Sequence, residues 1–227
     1  MEGAELKKWM RASVVATVAL VGVVVPSSAS AATACTGLNG CKIVSRADVD
    51  GDGRADQVGV RIKSSGSKAT NTVRVLTAKG RLMSSQVTVD PWSKSWHGAA
   101  RIDGRSGYEL VIPTNGQTEY RTYRVLTYRD GRLVTLKTPQ SAWSWDIVAE
   151  YSGYTGWSRS TRDGKVLVTR KTAYRVHETS RFDRRTTTYQ WKNGAWSRPV
   201  ASTRNARASQ KAAESVFGWN IPYLKRL

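Results

Sequence analysis

Nine consecutive residues hold four of the chain's 17 carboxylate side chains: Asp48-Val49-Asp50-Gly51-Asp52-Gly53-Arg54-Ala55-Asp56. With 36 Lys and Arg in the chain, each acid could have been paired separately. Crowding them costs mutual repulsion that a bound cation relieves. A hard cation such as calcium takes about six to eight oxygens from carboxylates, backbone carbonyls and water. Asp48, Asp50, Asp52 and Asp56 stand at loop positions 1, 3, 5 and 9, and position 7 offers the backbone carbonyl of Arg54. Gly53 permits the sharp turn that wraps such a loop. The competing reading is a solvated Gly/Asp turn between strands; the density of charge favours calcium.

The flanking segments decide what kind of loop this is. A helix–loop–helix calcium hand needs a bidentate Glu at position 12, where this chain has Gly59. After the loop, Val58, Val60 and Ile62 alternate at period two, and before it Lys42-Ile-Val-Ser-Arg-Ala47 is short and strand-like. The metal is therefore expected in a strand–loop–strand hairpin. In that setting the DxDxDGxxD run resembles the calcium loop of FG-GAP or VCBS repeats, found in the integrin α-type β-propeller and in many secreted bacterial proteins. The resemblance implies an all-β fold of antiparallel, blade-like meanders and a calcium ion in the first loop.

Internal repetition is consistent with blades. Thr72-Val-Arg-Val-Leu-Thr77 parallels Thr122-Tyr-Arg-Val-Leu-Thr127, and Gly80-Arg-Leu82 parallels Gly131-Arg-Leu133. The glycines lie 51 residues apart, as do Arg54 and Arg105, and a period near 50 with several strands is the size of one propeller blade. In the second loop Asp103 and Glu109 survive, but Arg105 and Gly107 break the ligand pattern, so no tight calcium site is expected there. A third, more divergent unit is expected to start near Asp163-Gly164 and to end in a hairpin at Asn193-Gly194. About three such units fall short of a closed propeller, so the expected fold is all-β, an open or partial propeller of degenerate repeats with a short C-terminal helix. That helix is expected within 204–217, where Ala, Arg, Lys, Gln and Glu favour it.

The ends of the chain speak to location. Lys7, Lys8 and Arg11 precede an apolar run from Ala12 to Val25 and an Ala29-Ser-Ala31 site, the layout of a secretory signal peptide. The run is short for a membrane span, and no second one follows, so no transmembrane domain is expected after cleavage. The expected divisions are 1–31 signal peptide, 32–46 an N-terminal segment with the cysteines, 47–203 the repeat-built β domain and 204–227 a basic helix or tail. Cys35 and Cys41, the only cysteines, read as a small-loop disulfide of an exported protein, against lipidation of Cys35. The net charge of +19 is concentrated late: residues 160–227 carry 15 Lys and Arg against four acids. Such a field gathers anions, which outside a cell are acidic glycans, wall polymers and lipid head groups, with nucleic acid the poorer fit.

Candidate binding and catalytic groups are fewer. Trp92 and Trp96 flank Ser-Lys-Ser, and Trp143-Ser-Trp145 occupies a comparable place after the second unit. In a strand, Trp-x-Trp turns both rings to one face, so these four could form a platform for sugar rings; a small β core would use them equally well. His97, in Trp96-His-Gly98, is the one candidate general base, whereas His177 reads as a strand-surface residue. No nucleophile elbow, zinc-helix, P-loop or Cys-x-x-Cys motif occurs, and no catalytic residue is assigned. The sequence thus points to an exported or envelope-associated calcium-binding protein with a structural or ligand-binding role, an anionic glycan or wall polymer being the candidate partner. The alternative is a secreted hydrolase or lyase of such polymers with His97 in its site.

Overall fold

The computed structural model describes residues 32–177 and 179–226; the expected signal peptide, 1–31, lies outside them. Two sheets account for nearly all of it. The first is a four-stranded antiparallel meander of β1 (Lys42–Ala47), β2 (Asp56–Ser65), β3 (Lys68–Leu76) and β4 (Leu82–Val89). A second meander follows: β5 (Gly98–Ala100), β6 (Glu109–Pro113), β7 (Tyr120–Arg129) and β8 (Arg132–Thr135). The third comprises β9 (Trp145–Glu150), β10 (Gly153–Arg162), β11 (Lys165–Arg175), β12 (Phe182–Lys192) and β13 (Ala195–Ala208). Strand β7 joins the last two into one sheet, because its first half pairs with β9 and its second half with β8. Among the described residues the pairing is antiparallel throughout, apart from one parallel pairing, and no barrel closes.

Period-two patterning builds the core. Val58 and Val60 of β2, with Val73 and Val75 of β3, turn one apolar face onto Leu110, Ile112 and Leu126. The alternate residues of the same second-unit strands, Val111, Tyr123 and Val125, face away, toward Trp145, Ile147, Trp157 and Val168. Strands β6 and β7 are therefore apolar on both faces, the pattern of a buried sheet. Cys35 and Cys41 form a disulfide, Cα–Cα 5.4 Å, seated on Gly59, where any Cβ would come within 3.0 Å of both sulfurs.

Three of the connections are two-residue turns with left-handed backbone: Asp130-Gly131, Asp163-Gly164 and Asn193-Gly194. These are the residues that tolerate positive φ in a hairpin. Asp163-Gly164 is thus the β10–β11 turn inside the third unit, which begins earlier, at Trp145, and does not open it. A second correction concerns the C-terminus. Residues 204–208, expected to be helical, extend β13, because β12 offers a ladder partner and Ala208 is buried opposite Phe182. The helix is only α1 (Gln210–Glu214), with Ser209 as N-cap accepting from the Ala212 N–H at 3.3 Å. His177 follows β11 with φ 33°, in a turn and not on a strand surface. No described helix is long and apolar enough to cross a membrane.

Candidate metal site

The 48–56 loop joins β1 to β2, as a strand–loop–strand site requires. Asp48, Asp50 and Asp56 each bring one carboxylate oxygen within 4.8 Å of the others. The loop's own amides set their aim. Asp48 accepts from the N–H groups of Gly51 (2.8 Å) and Gly53 (3.0 Å), and Asp50 accepts from Asp52 N–H (3.2 Å). The buried Asp56 carboxylate accepts from Val49 and Asp50 on one oxygen and from Ala78 on the other. Each ionised carboxylate has about four lone-pair sites, so acceptor capacity is left over in all three. An all-oxygen, triply anionic set suits a hard divalent cation and offers no soft or nitrogen ligand. The residues present fit such an ion.

Asp52 stands apart from the three. Its Oδ2 lies 3.1 Å from Lys79 Nζ and its Oδ1 accepts from Arg54 N–H at 2.9 Å. That amide bond, and then Lys79, hold its carboxyl below the usual range. Asp50 moves the other way: burial pushes its carboxyl up, abetted by the charges of Asp56 and Asp52 against the Asp52 N–H. The Arg54 guanidinium reaches away to the Ala78 carbonyl at 3.2 Å.

The second loop repeats the scaffold without the charge. Ile102 and Asp103 donate their N–H groups to Glu109 Oε2 at 2.6 and 3.3 Å, the same pattern that Val49 and Asp50 make to Asp56. Arg105 N–H caps Asp103 as Asp52 N–H caps Asp50. Asp103-Gly-Arg-Ser-Gly-Tyr-Glu109 therefore superposes in role on Asp50-Gly-Asp-Gly-Arg-Ala-Asp56, an offset of 53 residues, not the 51 that the glycine alignment suggested. In this register Asp48 is replaced by Arg101 and Asp52 by Arg105, and the Arg129 guanidinium is ion-paired with Asp103. A side-chain cation sits where the first loop gathers carboxylates. The two loops touch: Tyr108 N–H donates to Asp48 O at 2.8 Å, and Gly51 and Gly107 allow the backbones to meet.

The tryptophans do not form one platform. Trp145 is 0 % exposed, donating its N–H to Leu136 O at 3.0 Å, and its ring is packed on Trp157 and Trp219. It is therefore closed to a ligand. Trp143 precedes β9 instead of sharing a strand with Trp145, is 55 % exposed and lies under the Lys137 ammonium at 4.2 Å. Trp96 packs partly against the core, and Trp92 is 86 % exposed. Trp92 edges a cleft of about 160 Å³ shared with Lys94, His97, Gln117, Arg121 and Tyr123. Burial pushes the His97 imidazole down to about 4, with Arg121 and Lys94 adding to the effect and the Lys225 carbonyl opposing it. No described Asp or Glu lines this cleft; Asp48 lines a wider groove that His97 also borders. Within this cleft, among the described residues, His97 meets no carboxylate with which to share acid–base work.

Arg129, Lys94 and Arg121 were not singled out by the sequence. The charge reversals at Arg101 and Arg105 were findable, since aligning Asp-Gly-x-x-x-x-Asp/Glu between the loops exposes them, but Arg129 comes from β7 and reaches Asp103 only in the fold. Lys94 and Arg121 come from different segments and meet only in the fold. Comparison with family models, curated proteins and solved structures found no match to this chain.

Proposed function

We propose that this chain is an exported calcium-binding protein of the FG-GAP/VCBS repeat type, with a structural and ligand-binding role toward anionic glycans or wall polymers of the cell envelope. The observation that carries the metal reading is the convergence of Asp48, Asp50 and Asp56 within 4.8 Å on a loop that ties β1 to β2 and touches the second unit. Calcium, when bound, supplies the positive charge that Arg129 supplies to Asp103 in the second loop. Asp48, Asp50 and Asp56 would hold it, with the Arg54 carbonyl as a further oxygen, and Asp52 would join them only by giving up Lys79. The partner reading rests on the +19 charge and on a basic, carboxylate-free cleft.

The test is a thermal melt across a calcium titration. Binding to the folded state stabilises by RT ln(1 + [L]/Kd), about 2.7 kcal/mol at 100 times Kd. Wild type should melt higher in calcium than in chelator, Asp50→Ala should lose most of that difference, and Asp103→Ala should keep it at a lower baseline because Arg129 is orphaned. Equal calcium responses in wild type and Asp50→Ala would reduce the loop to an acidic turn.

A further inference from the structure

The cleft edged by Trp92 has features that its role in packing does not require. Lys94 and Arg121 both line it, neither takes part in an ion pair among the described residues, and no acid faces them there. An unpaired guanidinium in a concave site is costly to leave half-desolvated and is recovered by an anion. Arg121 is oriented for this, because its Nε donates to Thr118 O at 3.0 Å. Beside it the Trp92 ring stands 86 % exposed, a large apolar face with nothing packed over it.

The walls are set in advance. Asn115 spans its loop, donating to Tyr120 O at 2.8 Å and accepting from Thr122 N–H at 3.0 Å, while Ser93 Oγ donates to Asn115 O at 3.1 Å. Gly116 lets that loop lie directly on Trp92, since a Cβ there would come within 3.0 Å of the tryptophan's Cβ and carbonyl oxygen. A site that is rigid when empty loses less on binding. His97 lies at the inner end, its ring 5.0 Å from that of Tyr123.

We propose that this cleft binds one carboxylate-bearing pyranose unit, with Arg121 and Lys94 on the carboxylate and the sugar ring stacked on Trp92. The proposal rests on the anionic-glycan reading above and gives it a site. The size agrees: about 160 Å³ is below the roughly 300–1,000 Å³ of pockets that enclose a drug-sized ligand, so one ring or a chain end enters and a folded oligomer does not. A planar, forked guanidinium matches a carboxylate better than a point charge would. A neutral sugar would leave both cations without an anionic partner.

The test is calorimetric titration of the calcium-loaded protein with trigalacturonate and, separately, with its methyl ester, which keeps the rings and removes the charge. Wild type should bind the acid and lose about tenfold or more in affinity for the ester, the scale of a lost charge-assisted hydrogen bond. Arg121→Gln should weaken binding of the acid by a similar factor, and Trp92→Ala should weaken acid and ester alike. Should Arg121→Gln melt lower than wild type, the exposed Lys94→Gln carries the same comparison. Equal affinity for acid and ester, or wild-type affinity in the cation variants, would overturn the assignment. Column retention on polygalacturonate separates the two levels: retention that survives in Arg121→Gln and Lys94→Gln unchanged sinks the cleft and leaves the wider reading standing. Neither retention nor trimer binding would sink both.

Discussion

Asp56 and Glu109 show how one hydrogen-bond pattern can serve two electrostatic ends. Both carboxylates take the same two loop amides and both are buried. Asp56 faces other carboxylates that can share an ion. Glu109 faces Asp103, Thr127 and the guanidinium groups gathered around them, among them Arg129, Arg101 and Arg159. Burial, and then the Asp103 charge, push Glu109 up to about 7. The folded chain therefore holds this proton between the ordinary value of 4.5 and about 7, while the unfolded chain releases it. Stability from this group is fully present below about 4.5 and is lost as pH rises through 7. Glu109→Gln, which keeps an acceptor for the loop amides and does not ionise, should remove that loss. The urea midpoint of wild type relative to the variant should fall between pH 5 and 8, by up to roughly 3 kcal/mol converted through m. His97, held down near 4, gains stability as pH rises from there to 6.5, the opposite sign, but it is common to both proteins and cancels. A constant difference across that range would mean Glu109 is ionised throughout. The first loop was legible because its signal is local composition. The second was not fully legible, because Arg129, the cation paired with Asp103, comes from 26 positions away.

Turn chemistry made most elements readable; tertiary pairing decided the rest. Asn193-Gly194 marked its hairpin in the sequence and has the positive φ angles the turn needs. The helical propensity of 204–208 was overruled by the ladder with β12, a non-local choice that composition cannot show. The same is true of β14 (Gly218–Asn220), which pairs in parallel with β10 at Gly156, Trp157 and Ser158. This brings Trp219 onto Trp145 and Tyr123 and closes the second apolar cluster. Gly156 makes the pairing possible: a Cβ there would overlap the Val216 carbonyl oxygen and meet Gly218 O at 2.6 Å. Both are backbone atoms that no rotamer change can move. Gly156→Ala should therefore detach the C-terminal strand and destabilise the chain by about 3 kcal/mol or more. Near-UV circular dichroism should lose the coupled tryptophan signal before the far-UV β signal falls. A variant with wild-type melting temperature and near-UV spectrum would show that the C-terminal strand can shift without cost.

At the scale of the whole molecule the proposed anionic-glycan role divides into a long-range field and a local site. Strand β13 closes one end of the larger sheet and is exposed over most of its 14 residues. A long free edge invites pairing with other chains, and Pro199 with the arginines of this strand blunts it. Arg204 and Arg185 are bound to Asp183. Arg198 and Arg207 are in no ion pair among the described residues and face solvent. Charges so placed act through the long-range field, which reaches about 10 Å at 0.1 M salt and about 3 Å at 1 M. They should raise the local concentration of an acidic polymer without reading its chemistry. Arg198→Gln/Arg207→Gln should consequently leave polygalacturonate resin at lower salt than wild type, while calorimetric affinity for trigalacturonate at 0.15 M salt stays within about twofold. Cleft variants should show the reverse emphasis, losing trimer affinity by about tenfold or more with a smaller change in elution salt. The two sets of residues lie on different meanders with no shared partner, so their effects should add. Trimer affinity that falls with the β13 substitutions as steeply as with Arg121→Gln would mean that one diffuse field, and not two separable devices, holds the anion.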